Sequence, residues 1–345
     1  MQLASRFSSH AAHLPAQLSC LRDTRGVLRL SGADLVHFLQ GLVTNDVHGV
    51  SNSIAPAVYT AILSPQGRYL HDMFLHSQPG DVPTALADVD QQAVPDLLRL
   101  LRRYKLRAKV DIADVSSEYD VWVRFGDAST SGTAATGRPA ASWPYDPRLA
   151  ALGQRAILPS EQLSSSDPAA ASSTLSMPSR SQTSLPRADV HAYRRWRIMH
   201  GIAEGDTEIP SGKAVPLEYN LDGLNAISFT KGCYVGQELI ARTHYRGVVR
   251  KRLMPFRLQP REAGVGELVG QPILAESSGT RTTGKVEVLD GDIGMGVLRL
   301  QQAAAAVAGK DVLRVAGSGV QLTPWIPRWW PPEWLEGTSA DADGQ

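Results

Sequence analysis

The sequence predicts an α+β fold that ends in an antiparallel β-barrel, and two groups of observations support this. In the first half, a strand pattern over 57–63 is followed by a turn at 64–67 and a returning strand over 68–76. An amphipathic helix follows over 91–104. Beyond Arg250, short strand-like runs alternate with Gly, Pro and Asp turns, as is typical of a small barrel. Hairpins mixed with helices favour α+β over a wound parallel sheet.

The other elements follow from the same patterns. The Leu/Val alternation at 26–32 predicts a strand, and Ser31 or Asp34 then caps a helix that runs to Gln40. Further strands are predicted at 106–112 and 119–125, and a further helix at 188–202. The predicted barrel strands are 253–258, 286–289, 293–298 and 311–315.

Composition indicates an ordinary soluble globular protein and excludes several classes. The chain has 345 residues, 43% of them hydrophobic and 20% charged. A net charge of +1 argues against direct nucleic-acid binding, and no apolar run is long enough to span a bilayer. Two cysteines, Cys20 and Cys233, are too few for a disulfide scaffold and suit a reducing compartment.

Three segments have the composition of unstructured chain. The first 22 residues contain no Asp or Glu, which fits a transit peptide over residues 1–20, although a flexible tail is equally compatible. Residues 160–187 are rich in Ser, Ala and Pro, so we expect a disordered insertion there. The polar, small residues of 331–345 predict a disordered tail.

The most informative segment is Lys231-Gly232-Cys233-Tyr234-Val235-Gly236-Gln237-Glu238, which continues to Arg242. Its glycines suggest a sharp turn, and the following Glu-Leu-Ile-Ala-Arg run suggests a helix. Cys233 would lie at or near the helix N-terminus beside Lys231, where a thiol loses its proton more easily. A buried structural cysteine is the alternative, because free cysteine is often buried. The many polar neighbours favour a functional site.

This segment closely resembles the signature of the folate-binding iron–sulfur assembly proteins related to the glycine-cleavage T-protein. Residues 216–221, 225–229 and 38–47 also resemble that family, and the resemblance extends over roughly 20–325 with one gap. It implies a cloverleaf of two interwoven α+β lobes and a C-terminal antiparallel barrel around a central folate-holding hole. The folate-binding lobe would then comprise 21–159 and 188–249, and the barrel 250–330.

The resemblance implies a tetrahydrofolate site, which needs polar partners for the pterin edge, an apolar wall for its face and cations for the glutamate tail. Residues of these types cluster near the signature, with one more in the early hairpin. The candidates are Asp72, Trp196, Arg197, Glu218, Asn220, Lys231, Gln237, Glu238 and Arg242. Each of them alone is equally compatible with a role in holding the fold.

Cluster chemistry rests on one residue. An iron–sulfur cluster takes about four ligands, usually thiolates, and Cys233 is the one thiolate candidate beyond the expected leader. Cys233 is therefore both the catalytic and the metal-binding candidate, and any cluster must be shared with a partner. The family suggests an A-type scaffold protein as that partner and [4Fe–4S] proteins as clients. It also suggests the mitochondrial matrix, with a plastid as the alternative.

Two departures from the T-protein pattern argue against aminomethyl transfer. Where the enzyme carries paired aspartates, this chain has the run 68–72, in which only Asp72 is acidic. The enzyme's pterin-recognising glutamate aligns with Met199, which cannot replace a carboxylate's hydrogen bonds. The sequence thus predicts a transferase-like fold in an assembly factor for [4Fe–4S] proteins. A folate-dependent one-carbon transferase and a tRNA-modification accessory protein are the alternatives.

Overall fold

The computed structural model describes residues 14–51, 57–126, 143–160, 185–259 and 268–335. Most of the predicted leader, insertion and tail therefore lie outside the described residues. The chain divides into two compact units. The sheet unit consists of His13–Tyr193 and Leu224–Gln237, and the barrel unit contains Arg194–Gly223 and Glu238–Gln345.

Fourteen strands and six helices are defined within the described ranges. The strands are β1 (Gln17–Cys20), β2 (Arg25–Ser31), β3 (Ala57–Leu63), β4 (Tyr69–Gln78), β5 (Thr84–Asp90), β6 (Asp111–Asp114), β7 (Tyr119–Phe125), β8 (Gln154–Pro159), β9 (Lys251–Gln259), β10 (Pro272–Ala275), β11 (Thr282–Asp290), β12 (Ile293–Arg299), β13 (Leu313–Val315) and β14 (Gln321–Pro324). The helices are α1 (Leu35–Gln40), α2 (His48–Ser51), α3 (Val94–Lys105), α4 (Val190–Met199), α5 (Gln237–Arg246) and α6 (Leu300–Val307).

The sheet unit contains two antiparallel sheets. The larger has the strand order β3-β4-β5-β2-β6, and the smaller has the order β1-β7-β8. One face of the larger sheet packs against α1 and α3, whose buried residues recur every three or four positions, as Leu97 and Leu101 do. Strand residues Leu28, Leu75 and Val89 belong to the same apolar core. Packing against the helices therefore fixes which side chains of each strand point into the apolar core.

The opposite face of the larger sheet is polar and buried. Side chains alternate between the faces of a strand, so Asp72, Phe74 and His76 of β4 lie opposite the apolar Met73 and Leu75. All three are nearly fully buried. This face contributes charged groups that need partners inside the protein.

A buried ion-pair network satisfies much of this face. Asp88 of β5 accepts hydrogen bonds from Arg25 Nε and Arg155 Nε, each at 2.6 Å. The guanidinium of Arg155 lies 4.0 Å from the ring centroid of Phe74, and that of Arg148 lies 4.7 Å from it. Three cations thus surround one aromatic ring, with Arg25 at 5.6 Å completing the set.

His76 should make stability depend on pH. Burial lowers its pKa to about 4 from the ordinary 6.5; Asp88 and Asp146 raise this pKa, and Arg155 lowers it. Between these two values the unfolded chain binds a proton that the folded protein rejects, so stability falls as the pH decreases. At ~1.4 kcal/mol per pKa unit, we expect about 3 kcal/mol to be lost near pH 4.

Urea unfolding of the wild type and of His76→Leu at several pH values between 7 and 4 would test this expectation. The free energy of unfolding of the variant should change much less between pH 7 and pH 4 than that of the wild type, whatever its value at pH 7. The control is His48→Leu, because His48 is exposed and pairs with Asp46 on the surface. An unchanged pH slope in His76→Leu would contradict the assignment.

The barrel unit is built on a closed antiparallel barrel with the strand order β10-β11-β12-β9-β14-β13. Its core includes Phe256, Ile273 and Leu322. A Cβ at position 296 would lie 2.6 Å from the carbonyl oxygen of Lys285, so Gly296 allows close approach between strands. The predicted α+β class and C-terminal antiparallel barrel are thereby confirmed.

Several element predictions need correction. The predicted strand over 106–112 is mostly wrong: α3 ends at Lys105, Leu106 adopts a positive φ of 47°, and β6 begins only at Asp111. Asp34 stands at the start of α1 without capping it, because its carboxylate accepts the backbone N–H of Lys109 at 2.7 Å. Helix α6, within an alanine-rich run, was missed.

The described N-terminal residues belong to the fold. Strand β1 pairs with β7, with Cys20 opposite Trp122. A leader that ended at residue 20 would include this strand. Among the residues whose structure is described, no helix is both long and apolar enough to cross a membrane.

Candidate functional site

Residues 231–237 of the signature lie in the sheet unit, where a buried lysine fixes them to the loop after α1. Lys231 Nζ donates to the carbonyl oxygens of Val43 at 2.7 Å and Asn45 at 2.8 Å. The ammonium also lies 5.2 Å from the ring centroid of Tyr234. Lys231 therefore joins two segments that are nearly 190 residues apart in sequence.

Burial alters the acid–base behaviour of this lysine. Desolvation lowers the pKa of Lys231 to about 8, and the carboxylate of Asp46 opposes that shift. Below that pKa the ammonium form predominates, and its N–H groups donate to both carbonyl oxygens. Lys231 therefore holds the two segments together, and its action on the thiol or on a ligand stays a prediction.

The same two segments are held by further hydrogen bonds. Thr44 Oγ1 donates to the carbonyl oxygen of Ala226 at 2.6 Å, and Asn45 Nδ2 donates to that of Asn225 at 2.6 Å. The backbone N–H of Ser228 donates to the carbonyl oxygen of Thr44 at 3.0 Å. The loop over 41–46 is therefore bound at Thr44 and Asn45 to the run that leads into the signature.

The two signature glycines have different roles. Gly236 has a φ of +82°, and a Cβ there would lie 2.4 Å from the carbonyl oxygen of Ser64. This position requires glycine because the backbone conformation and the close approach both exclude a side chain. Around Gly232 a Cβ would meet nothing within 4 Å, so that glycine leaves the backbone beside Cys233 uncrowded.

Cys233 is exposed and carries a free thiol. Helix α5 begins at Gln237 after a turn at 235–236, so the prediction of a turn opening a helix is confirmed, and Cys233 lies two residues before that turn. The buried-cysteine alternative is wrong for Cys233. Within the described ranges, no group of three or more His, Cys, Asp and Glu side chains is arranged to hold a metal ion.

Asp72 lies in the sheet unit on the polar face described above. Its carboxylate is buried and accepts a hydrogen bond from the Tyr59 hydroxyl at 2.9 Å. The Tyr59 ring stacks at a tilt on Phe74, with centroids 4.8 Å apart. Asp72 is therefore held in a fixed orientation by β3 and β4.

Four other candidates lie in the barrel unit. Trp196 is buried and packs on His200, with ring centroids 4.5 Å apart. Arg197 is engaged by Glu208 at 2.7 Å and by the carbonyl oxygen of Ile202 at 3.1 Å. A ligand's carboxylate would have to compete with Glu208 for this guanidinium.

Asn220 and Glu218 lie near the short helical turn Pro216–Tyr219 of the same unit. Asn220 is buried in the left-handed conformation, with a φ of 63°, and its amide donates to the carbonyl oxygen of Leu253 at 2.8 Å. Arg252 donates to its side-chain oxygen at 3.4 Å. Asn220 therefore supports the barrel strand β9, while Glu218 is half-buried.

The last three candidates lie on α5. Gln237 is half-buried at its first position, in the sheet unit, while Glu238 and Arg242 are exposed in the barrel unit. The structure thus brings Asp72, Lys231, Cys233 and Gln237 together in one unit. The other six candidates belong to the barrel unit: Trp196, Arg197, Glu218, Asn220, Glu238 and Arg242.

Sequence reasoning missed the hydrogen bonds between the front run and the run that leads into the signature. Thr44 and Asn45 belong to the front run that resembles the family, but their role emerges only from hydrogen bonds that span 182 and 180 residues. The spacing within either segment carries no sign of this pairing. The resemblance of both segments to one family was the only available signal.

The overall fold and the C-terminal domain both resemble known proteins. The fold is similar to the crystal structure of glycine cleavage system aminomethyltransferase T from Bartonella henselae, with a TM-score of 0.63 and 12% identity over 91% of this chain and 86% of that chain. Residues 250–332 match the CAF17 C-terminal beta-barrel domain family. The chain is thus a T-protein-fold protein whose signature segment presents an exposed cysteine.

The particular family follows from closer relatives. The chain is 34% identical to the protein named iron-sulfur cluster assembly factor IBA57 homolog, mitochondrial, of Mycosarcoma maydis, over 89% of this chain and 83% of that protein. It is also 34% identical to mouse iron-sulfur cluster assembly factor IBA57, mitochondrial, over 91% and 86%. The chain belongs to the mitochondrial IBA57 family, which confirms the predicted family and the mitochondrial location.

Proposed function

We propose that this protein is a mitochondrial matrix factor for assembly of iron–sulfur clusters, and that it helps to mature [4Fe–4S] proteins. The observation that carries the proposal is Cys233, an exposed free thiol in a segment that the buried Lys231 fixes. Its relatives are named iron-sulfur cluster assembly factors. Mutation of the thiol, described in the Discussion, is the direct test.

The chemistry that Cys233 supplies is one iron ligand. On binding iron the thiol loses its proton and the sulfur coordinates as thiolate. A cluster takes about four ligands, so the others must come from a partner, for which we propose an A-type scaffold protein. Exposure of Cys233 suits a ligand shared between two proteins, because a buried thiol could not meet the partner's cluster.

We further propose that the protein binds tetrahydrofolate through the sheet unit. Asp72 offers a buried carboxylate oriented by Tyr59, of the kind that pairs with the donor edge of a pterin. Phe74 and Tyr59 lie on the same face, and their rings form the buried surroundings of this carboxylate. Folate is a bound ligand in this proposal, because the paired aspartate and the glutamate expected for aminomethyl transfer are absent at 68–72 and at Met199.

Calorimetry with tetrahydrofolate would test the folate proposal. We expect saturable binding and a raised melting temperature, since a ligand that binds only the folded state stabilises it. Asp72→Asn should weaken binding at least tenfold, corresponding to about 1.4 kcal/mol for a lost charge-assisted hydrogen bond. Asp46→Asn, a change at a surface carboxylate, is the matched control. Absence of heat and of a thermal shift at millimolar folate would refute folate binding and leave the cluster role to its own test.

A further inference from the structure

The barrel unit contains a cavity of about 800 Å³ that is not part of the signature site. Its lining comes from the end of α5, the starts of β9 and β11, and the junction between β12 and α6. All of the lining residues belong to the barrel unit. The volume lies within the range of about 300–1,000 Å³ typical of small-molecule sites.

Four arginines line this cavity, and one of them is neutralised. Arg252 pairs with both carboxylate oxygens of Asp222 at 2.9 Å and stacks on Trp334, with its guanidinium 3.2 Å from the ring centroid. Arg250, Arg281 and Arg299 have no side-chain acceptor within the part of the chain that is described. Glu333, an exposed residue, is the other acidic side chain in the lining. The cavity therefore carries an excess of positive charge.

Two buried donors in the lining lack partners. Thr283 is 2% exposed, and its hydroxyl has no hydrogen-bond partner among the described atoms. The Nε of Arg299 is buried and equally unpartnered there. A buried donor without an acceptor destabilises the folded protein by about 1–3 kcal/mol, so such a donor usually has an acceptor, which can be a bound ligand. Both donors belong to residues that line this cavity.

Helix α6 adds backbone donors. Arg299 is its N-cap residue and forms no side-chain cap, while Leu300, Gln301 and Gln302 of its first turn line the cavity. The first N–H groups of a helix have no partner inside the helix, and its dipole favours negative charge there. Leu300 N–H is bound to the carbonyl oxygen of Arg250, so Gln301 and Gln302 supply the open donors.

We propose that this cavity binds a small molecule that carries phosphate groups. Three arginines, a threonine hydroxyl and an uncapped helix N-terminus together offer more donors than a single carboxylate accepts. A phosphate has several oxygens and a charge that suits guanidinium groups, backbone N–H groups and a hydroxyl at once. The volume admits a molecule as large as a nucleotide.

Calorimetry on the full chain tests this proposal with tripolyphosphate, ATP and citrate as probes. We expect saturable binding of the two phosphate probes at one site, weakening steeply with salt, and much weaker binding of citrate. Arg281→Gln and Arg299→Gln should each weaken binding at least about tenfold, the effect of losing one charge-assisted hydrogen bond. The control is Arg314→Gln, because Arg314 is in the same barrel and pairs with Glu276 on the surface.

Thr283→Val separates ligand binding from structure. The hydroxyl has no partner among the described residues, so its removal should leave the melting temperature unchanged or raise it. It should nevertheless weaken phosphate binding by about threefold to tenfold, the value of one ordinary hydrogen bond. A purely structural threonine would give the reverse pattern.

Three outcomes would overturn the proposal. They are the absence of saturable binding of either phosphate probe, an equal loss of affinity in Arg314→Gln, and binding of citrate as tight as that of tripolyphosphate. Arg281 is exposed, so its variant should fold even where Arg299→Gln does not. The Cys233→Ser variant should bind the phosphate probes normally, which keeps this test separate from that of cluster assembly.

Discussion

Replacing Cys233 by serine should abolish formation of the shared cluster while leaving the fold intact. The thiol is exposed, so the change of sulfur to oxygen removes no core packing, and surface substitutions usually alter stability by no more than about 0.5 kcal/mol. A serine hydroxyl has a far higher pKa than a thiol and does not supply the thiolate that iron prefers. Function and stability should therefore separate completely in this variant.

The measurement combines absorbance with unfolding. Ultraviolet–visible spectra of the protein mixed with an A-type scaffold, iron and sulfide should show a cluster band for the wild type and lose the part of it that depends on this protein in Cys233→Ser. Thermal melts of the variant alone should match the wild type. Folate binding should also persist, because Asp72 and Tyr59 are unchanged.

The chain provides its own control in the second cysteine. Cys20 is half-buried at the end of β1, and burial raises the pKa of its thiol, which makes it a poorer ligand. Cys20→Ser should keep the cluster spectrum. A full cluster band in Cys233→Ser would exclude Cys233 as a ligand, and a collapsed melt would show that it supports the fold.

Much of the fold was predictable because it depends on local patterns. The hairpin of β3 and β4 has strong strand residues on either side of a Pro-Gln-Gly turn, and α3 has apolar residues at helical spacing. Predictions failed where a distant contact decided the conformation. The local sequence predicts that Asp34 caps α1. Its carboxylate instead accepts a hydrogen bond from the backbone N–H of Lys109, which is 75 residues away. Helix α6 has good helical residues but no capping side chain to mark its start.

The site divides in the same way. The exposed cysteine, the turn and the start of α5 follow from the residues of the signature itself. Lys231 does not, because its two acceptors are backbone oxygens of Val43 and Asn45, which no side-chain pattern identifies. Nothing in the sequence indicated the cavity in the barrel unit. Arg250, Arg281 and Arg299 are far apart in sequence and line one cavity only because β9, β11 and β12 pair.

Asp88 also depends on residues that are distant in sequence, because its partners are Arg25 and Arg155. We expect Asp88→Asn to be strongly destabilising. The carboxylate is fully buried between two buried guanidinium groups and accepts the Nε–H of Arg25 and of Arg155. Removing one partner of a buried ion pair costs about 3–5 kcal/mol, because the negative charge is lost while the guanidinium charges stay buried. We expect a loss of this size in the free energy of unfolding.

Urea denaturation should show a lower midpoint with an unchanged slope, as expected when stability alone changes. The matched control is Glu118→Gln, the same carboxylate-to-amide change in the sheet unit. Glu118 pairs with Arg29 at the surface, where such pairs contribute only about 0–1 kcal/mol. Equal effects of the two substitutions would show that the buried network contributes no more than an exposed pair.

The amide substitution is informative because it keeps the size of the side chain while changing its hydrogen bonding. An amide has one acceptor oxygen and one donor nitrogen, so it can satisfy Arg25 or Arg155 but turns a donor towards the other. The backbone carbonyl of residue 88 still accepts from Arg25 at 3.1 Å, so the bond most at risk is the one from Arg155 Nε, while Arg155 Nη1 keeps the Tyr193 hydroxyl at 3.4 Å. Arg155 also lies on Phe74, next to Asp72 on β4. Loss of the Arg155 bond should therefore disturb the side chains on the polar face that contains Asp72. We expect Asp88→Asn to weaken folate binding at temperatures where the protein is still folded.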